Sequence, residues 1–153
     1  MSEATQTAAA VEAEKIVLRF YEALNTGDAA LIGEVTSDLL APDWKNNPLP
    51  PGGAPGRESF APTVGWLRSV FPDLTIGHED IVASADGTKV AVRSVSRGTH
   101  KGEILGVPAT GRTVQYRAFD IHHLEDGRIV QSWHLEDFFA LLSQLGAQFS
   151  TSA

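Results

Sequence analysis

The chain has 153 residues, 42% hydrophobic and 20% charged, with a net charge of −7, which suits one globular domain with a real core. The acidic balance argues against a nucleic-acid partner, since phosphate binding needs clustered Lys and Arg. No apolar run is long enough to cross a bilayer, residues 1–10 lack the basic start and apolar stretch of a signal peptide, and Cys is absent, so a cytoplasmic location is expected.

Residues 1–10 read as a disordered tail, 11–148 as a single domain and 149–153 as a C-terminal tail. From Val11 to Leu24, Ile16, Phe20 and Leu24 repeat at four with Val17 and Tyr21 alongside, the stripe of an amphipathic helix. Phe20 and Tyr21 are expected in the core, with substrate contact as the alternative, because aromatic helix stripes are usually core. Gly27 suits a C-terminal cap, and Asp28 suits the N-cap of a second helix running to about Leu40. Pro42 to Gly56 holds five prolines and three glycines and reads as a loop, with Trp44, Asn46 and Asn47 as candidates to face a ligand. Arg57 to Phe71 reads as a third helix with Phe60, Val64, Leu67 and Phe71 on one stripe, stopped by Pro72. Trp66 lies off that stripe, packed at the surface or turned toward a cavity.

From Leu74 the pattern changes to strands: Leu74–Ala83, a turn at Ala85-Asp86-Gly87, Lys89–Arg97, a glycine-rich stretch at 98–112, Thr113–Leu124 and Arg128–Glu136. Asp137 then caps a last short helix, whose Phe138, Leu141 and Leu142 can dock on the sheet. Helices first and strands after them predict an α+β fold: a curved antiparallel sheet closed into a cone by N-terminal helices, with one pocket for a small molecule.

The last hairpin sets which side chains meet. A three-residue loop, Glu125-Asp126-Gly127, predicts Leu124 opposite Arg128 and Asp120 opposite Ser132. One face then collects Phe119, Ile121, Ile129, Trp133 and Leu135, and the other Asp120, His122, Val130, Ser132 and His134. Asp120 and His134 become diagonal neighbours with β-carbons roughly 7–8 Å apart.

The chemistry available is acid–base. The phosphate-binding glycine patterns and the GxSxG elbow are missing, and no metal-ligand spacing supports a site built from Asp120, His122 and His134, so no metal is expected. A His beside a carboxylate can move a proton near neutral pH. An Asp–Arg–Asp hydrolase group of Arg117, Asp120 and Asp137 fails on parity, because Arg117 and Asp120 should face apart along one strand.

FYEALNTGD at 20–28, VGWLRSVFPD at 64–73, GTHKGEILGVPATGR at 98–112 and DGRIVQSWHLEDFFALLSQLG at 126–146 together resemble the SnoaL-like polyketide cyclases, within the nuclear transport factor 2-like folds. The resemblance implies an intramolecular aldol condensation on a small aromatic polyketide-like substrate, with no metal or organic cofactor. It implies an acid–base group at position 134, where the family's cyclases carry an aspartate and this chain carries His134. Position 120, a histidine in those cyclases, is Asp120 here, so the pair is present with its members exchanged. His134 is thus expected to transfer the proton and Asp120 to hold it. Leu24 and Thr63 match pocket-lining positions, and His100 matches the histidine of the glycine-rich turn. With Trp66 and His122 they make up the expected substrate-binding set. A homodimer or homotetramer packed sheet on sheet is the expected assembly. The alternative reading is a non-catalytic ligand-binding module, or an isomerase, hydrolase or hydroxylation accessory on the same scaffold.

Overall fold

Thr7 opens the first helix by accepting the Ala10 N–H on its hydroxyl at 3.1 Å, so α1 runs Ala8–Thr26. The computed structural model describes residues 5–50 and 52–150 of the chain. The expected N-terminal tail therefore gives way to helix at Ala8; residues 1–4 and 151–153 of the two tails lie outside the described residues. The 3.6-residue period puts Ile16, Val17, Phe20, Ala23 and Leu24 on one buried face of α1. Gly27, at φ +64°, turns the chain out of the helix and donates its N–H to the Ala23 carbonyl. Arg68 then covers the exposed end, donating to the Leu24 and Asn25 carbonyls at 3.1 and 2.8 Å.

Asp28 caps α2 as expected, accepting the Leu31 N–H at 2.8 Å. But α2 spans only Ala29–Glu34; a π-helical turn, Val35–Leu39, follows, and strand β1 begins at Leu40 and runs to Asn47. The loop expected from Pro42 therefore starts after Asn47. Pro42 is tolerated because β1 lies at the sheet edge and its register against its neighbour shifts between Leu40 and Lys45, so no central ladder bond is lost. A 3₁₀ turn, Arg57–Ser59, leads into α3, Phe60–Val70.

The remaining elements are β2 (Thr75–Ala83), β3 (Lys89–Thr99), β4 (Thr113–Glu125), β5 (Arg128–Glu136) and α4 (Phe138–Gln144). The strands form one curved sheet in the order β1-β5-β4-β3-β2. All neighbours are antiparallel except β1 and β5, which run parallel, so the sheet is mixed. The even-numbered residues of β4, Val114 to Leu124, point to the buried side, where α1 lies across β2, β3 and β5. Among the described residues no helix is long and apolar enough to cross a membrane.

The hairpin between β4 and β5 corrects the expected register. Asp126 and Gly127 both have positive φ, +49° and +73°, and Glu125 pairs with Arg128, so the loop has two residues and the mirror-image turn that matches strand twist. A bulge at Val130 then shifts the pairing, from Leu124 opposite Ile129 to His123 opposite Gln131. Two consequences follow. Ile129 is fully buried with Leu124 in the core, not on the face of Phe119, Ile121, Trp133 and Leu135. And Asp120 lies directly opposite His134, with His122 opposite Ser132.

Candidate active site

A cavity of about 200 Å³ opens on the buried side of the sheet, where the two apolar clusters of the core meet. Phe20, Leu24, Phe60, Leu67 and Ile76 make most of its wall apolar. Asp120, His122, Ser132, His134 and Glu136 enter from β4 and β5, and Tyr21 enters from α1. A larger hollow, about 520 Å³, lies at the other end, between α1 and the two hairpin turns, and is lined by Glu12, Asp86, Glu125 and Asp126. Asp86 there is spent on its own turn, accepting from Ser84, from the Thr88 hydroxyl and from the Thr88 N–H.

Hydrogen bonds divide the cavity's polar groups into two sets. In the first, the Trp44 indole N–H donates to Ser132 Oγ at 3.1 Å, and Ser132 Oγ lies 2.8 Å from His122 Nδ1. His122 Nε2 is 2.9 Å from the Tyr21 hydroxyl, which in turn bonds Asp120 Oδ2 closely. The other carboxylate oxygen, Asp120 Oδ1, is buried with no hydrogen-bond partner among the described residues. In the second set, His134 Nδ1 is 2.8 Å from Glu136 Oε1 and its Nε2 is 2.7 Å from the Pro48 carbonyl. Both ring nitrogens thus face acceptors, which favours the doubly protonated ring.

Burial sets the electrostatics. It pushes the Asp120 carboxyl up to about 6, against the Tyr21 hydrogen bond; Glu136 adds to the rise and His134 opposes it. It pushes the His122 imidazole down to about 3, helped by His134 and His123, so the ring is neutral. The Tyr21 phenol is raised well above its ordinary value by burial and by Asp120. For His134 burial acts downward, but the Glu136 hydrogen bond and charge, the Pro48 carbonyl and Asp120 outweigh it, and the net shift is upward.

Comparison with known proteins gives this arrangement a context. A sequence model of the SnoaL-like polyketide cyclases matches residues 15–145. The chain belongs to that family. It is 30% identical over 142 residues to aklanonic acid methyl ester cyclase DauD of Streptomyces sp. (strain C5), covering 89% of this chain and 83% of that one. It is 30% identical over 125 residues to the nogalonic acid methyl ester cyclase of Streptomyces nogalater, covering 81% and 90%. Among solved structures, TsrD from Streptomyces laurentii superposes with a TM-score of 0.78 at 29% identity, covering 90% of this chain and 97% of that one.

Most of the expected site residues meet in the cavity. Asp120, His134, His122, Leu24, Thr63 and Trp66 all line it, and Trp44 and Asn46 join them from β1. Asn47 instead holds the sheet edge, donating to the Ser132 carbonyl at 3.3 Å. His100 is not brought to the cavity wall. It is fully buried in the glycine-rich turn, where Nδ1 accepts the Thr110 N–H at 3.2 Å and the ring lies against Phe71. Asp120 does not hydrogen-bond His134: the two face each other across the strands, but Glu136, two residues along the same face of β5, and the Pro48 carbonyl take both ring nitrogens. Arg117 faces away from Asp120, its Nε 3.3 Å from Glu79, and Asp137 caps α4 by accepting the Ala140 N–H at 2.9 Å. The hydrolase group is therefore not assembled. The nitrogens of His122 and His134 are all engaged in hydrogen bonds within the protein.

Sequence reading missed Tyr21, Ser132 and Glu136. Tyr21 had a legible signal, a hydroxyl on the buried face of an amphipathic helix, which needs a buried partner. Ser132 and Glu136 share the face of His134 by parity, but their partners, Trp44 and His122 for the one and His134 for the other, appear only in the packed structure.

Proposed function

We propose that this chain is a cofactor-independent polyketide cyclase that closes a ring by intramolecular aldol reaction, using acid–base chemistry at the Asp120 carboxyl with His134 opposite it. One observation carries the reading: Asp120 lines a mostly apolar cavity, with one carboxylate oxygen, Oδ1, buried and without a hydrogen-bond partner among the described residues. A buried unpaired carboxylate costs stability, so its retention points to chemistry. A carboxyl poised near 6 can take a proton at neutral pH and give it back. The names of the relatives supply the substrate class, a polyketide acid methyl ester. The test is direct. Aklanonic acid methyl ester and nogalonic acid methyl ester are incubated with the purified chain and followed by liquid chromatography with mass detection. Aldol ring closure moves no atom out of the molecule, so the product has an unchanged mass and a new retention time. Tight binding of the esters without conversion would make the chain a binding module instead.

The same reading includes a homodimer, or a dimer of dimers, built through the outer face of the sheet. Phe119, Ile121, Trp133 and Leu135 are 59%, 45%, 50% and 73% exposed, and they pair across β4 and β5 as Phe119 with Leu135 and Ile121 with Trp133. A contiguous apolar patch of this kind favours a covering partner.

A further inference from the structure

We infer that Asp120, and not His134, is the group that takes the proton from the substrate, and that Tyr21 is the residue that positions it, as the last donor of a one-way hydrogen-bond chain running Trp44, Ser132, His122, Tyr21. The inference rests on the cyclase reading above and assigns the roles within it.

The direction of the chain follows from what each atom can do. Ionised Asp120 can only accept, so Tyr21 donates its one proton to Oδ2. The Tyr21 oxygen then accepts from His122 Nε2, and a neutral ring with its proton on Nε2 accepts at Nδ1. Ser132 Oγ therefore donates to Nδ1 and accepts the Trp44 indole N–H, which can only donate. Every donor is used once, and the chain ends on the one group that only accepts. Each bond fixes the next, so the carboxylate plane is held beside the cavity, with Oδ1 buried and without a hydrogen-bond partner among the described residues. His134 has no comparable vacancy. With Nδ1 turned to Glu136 and Nε2 to the Pro48 carbonyl, neither nitrogen offers a lone pair to a substrate C–H.

The step balances within the site. The C–H bond next to a substrate carbonyl breaks, its proton forms an O–H bond at the Asp120 carboxylate, and its electron pair becomes the enolate. The enolate carbon bonds to a second carbonyl carbon of the same molecule, whose oxygen takes the displaced pair and then the proton from Asp120. The carboxylate is restored. His134 contributes positive charge across the strands while the anion exists.

The groups that face Asp120 are few. They are Tyr21 from α1 with His78 from β2 against its ring, His122 on the same strand, and His134 and Glu136 from β5. β3 presents Val92 and Ser94, and α3 presents Thr63, Trp66 and Leu67, none of them ionisable near neutrality.

The test uses aklanonic acid methyl ester in deuterated water between pH 5 and 9, reading deuterium incorporation at the acidic carbon and ring closure separately. Wild type is expected to show both, rising through pH about 6 to a plateau. Asp120→Asn should lose roughly 10²–10⁴ of both, the usual loss for a positioned base. Tyr21→Phe keeps the ring but loses the bond that stabilises the carboxylate, so its acid limb should move to higher pH while much of the plateau remains, a shift that packing loss alone would not produce. His134→Asn should still incorporate deuterium within about tenfold of wild type, well short of the loss of a base. Deuterium incorporation that survives Asp120→Asn and vanishes in His134→Asn overturns the assignment while leaving the cyclase reading intact, as does an unmoved acid limb in Tyr21→Phe for the positioning role. A rate that falls with pH through 6 in wild type would make Asp120 a hydrogen-bond donor and overturn it as well. A wild-type chain inert in both assays removes the cyclase reading, and this inference with it.

Discussion

Asp120 holds its charge at a cost to the fold. Its carboxyl titrates near 6 in the folded chain and near 3.8 unfolded, so the folded state binds the proton more tightly. The stability it contributes is therefore present below about pH 4 and is lost as pH rises through 6. Asp120→Asn should consequently raise stability at pH 8, by up to about 3 kcal/mol for a shift of about two units, while turnover falls. Urea denaturation should show the gain shrinking toward zero near pH 4. His122 runs the other way. Its ring is neutral in the fold, with the value pushed to about 3 against an ordinary 6.5, so the unfolded chain binds the extra proton between those limits. Stability is full above about 6.5 and falls as pH drops toward 3. The urea midpoint should therefore fall on acidification more steeply in Asp120→Asn, which lacks the opposing carboxyl, and less steeply in His122→Gln.

The hairpin of β4 and β5 is the element that builds the site, and its turn is a small part that decides much. Gly127 sits at φ +73° with open space around its α-carbon, so Gly127→Ala tests backbone strain alone. It should cost about 1–2 kcal/mol in thermal or urea unfolding. The bulge at Val130 is what seats Ile129 in the core and brings Asp120 opposite His134. At the end of β5, Asp137 accepts the Ala140 N–H at 2.9 Å and does nothing in the cavity. Asp137→Ala should cost about 1 kcal/mol of stability and Asp137→Asn only a little, with turnover unchanged in both. Loss of turnover in Asp137→Asn would move the chemistry to the start of α4.

At the scale of the molecule, the helices cover one face of the sheet and leave the other bare. Phe119, Ile121, Trp133 and Leu135 stand on that bare face. A double change, Trp133→Lys with Leu135→Glu, places charges on the apolar patch without touching the cavity, whose lining includes neither residue. If the proposed assembly forms, light scattering should show a dimer or tetramer for the unaltered chain and a monomer for the double variant. A wild-type monomer at micromolar concentration would remove the sheet-on-sheet assembly.

The α+β architecture, the first helix with its Gly27 cap, the Asp28 cap of the second, the strands from Leu74 onward and the Asp137 cap were all readable in the sequence. Each is written in local chemistry, as apolar period, cap residue or turn residue, and such signals act within a few positions. The same locality explains the failures. Pro42 suggested a loop because a lone strand cannot be told from an irregular segment until a partner appears, and the partner, β5, lies some ninety positions further on. Asp126-Gly127 was recognised as a turn, but the bulge that follows depends on which residues the core must bury, so Ile129 was placed on the wrong face. The membership of the cavity divided in the same way. Asp120, His122 and His134 share one face of the hairpin by parity alone, which the sequence determined by itself. That Tyr21 reaches Asp120 across 99 positions, that Glu136 and Pro48 take both nitrogens of His134, and that Asp120 Oδ1 is left without a partner were decided only by the packing of α1 and the 48–50 segment against the sheet, because hydrogen bonds between distant elements have no local signature.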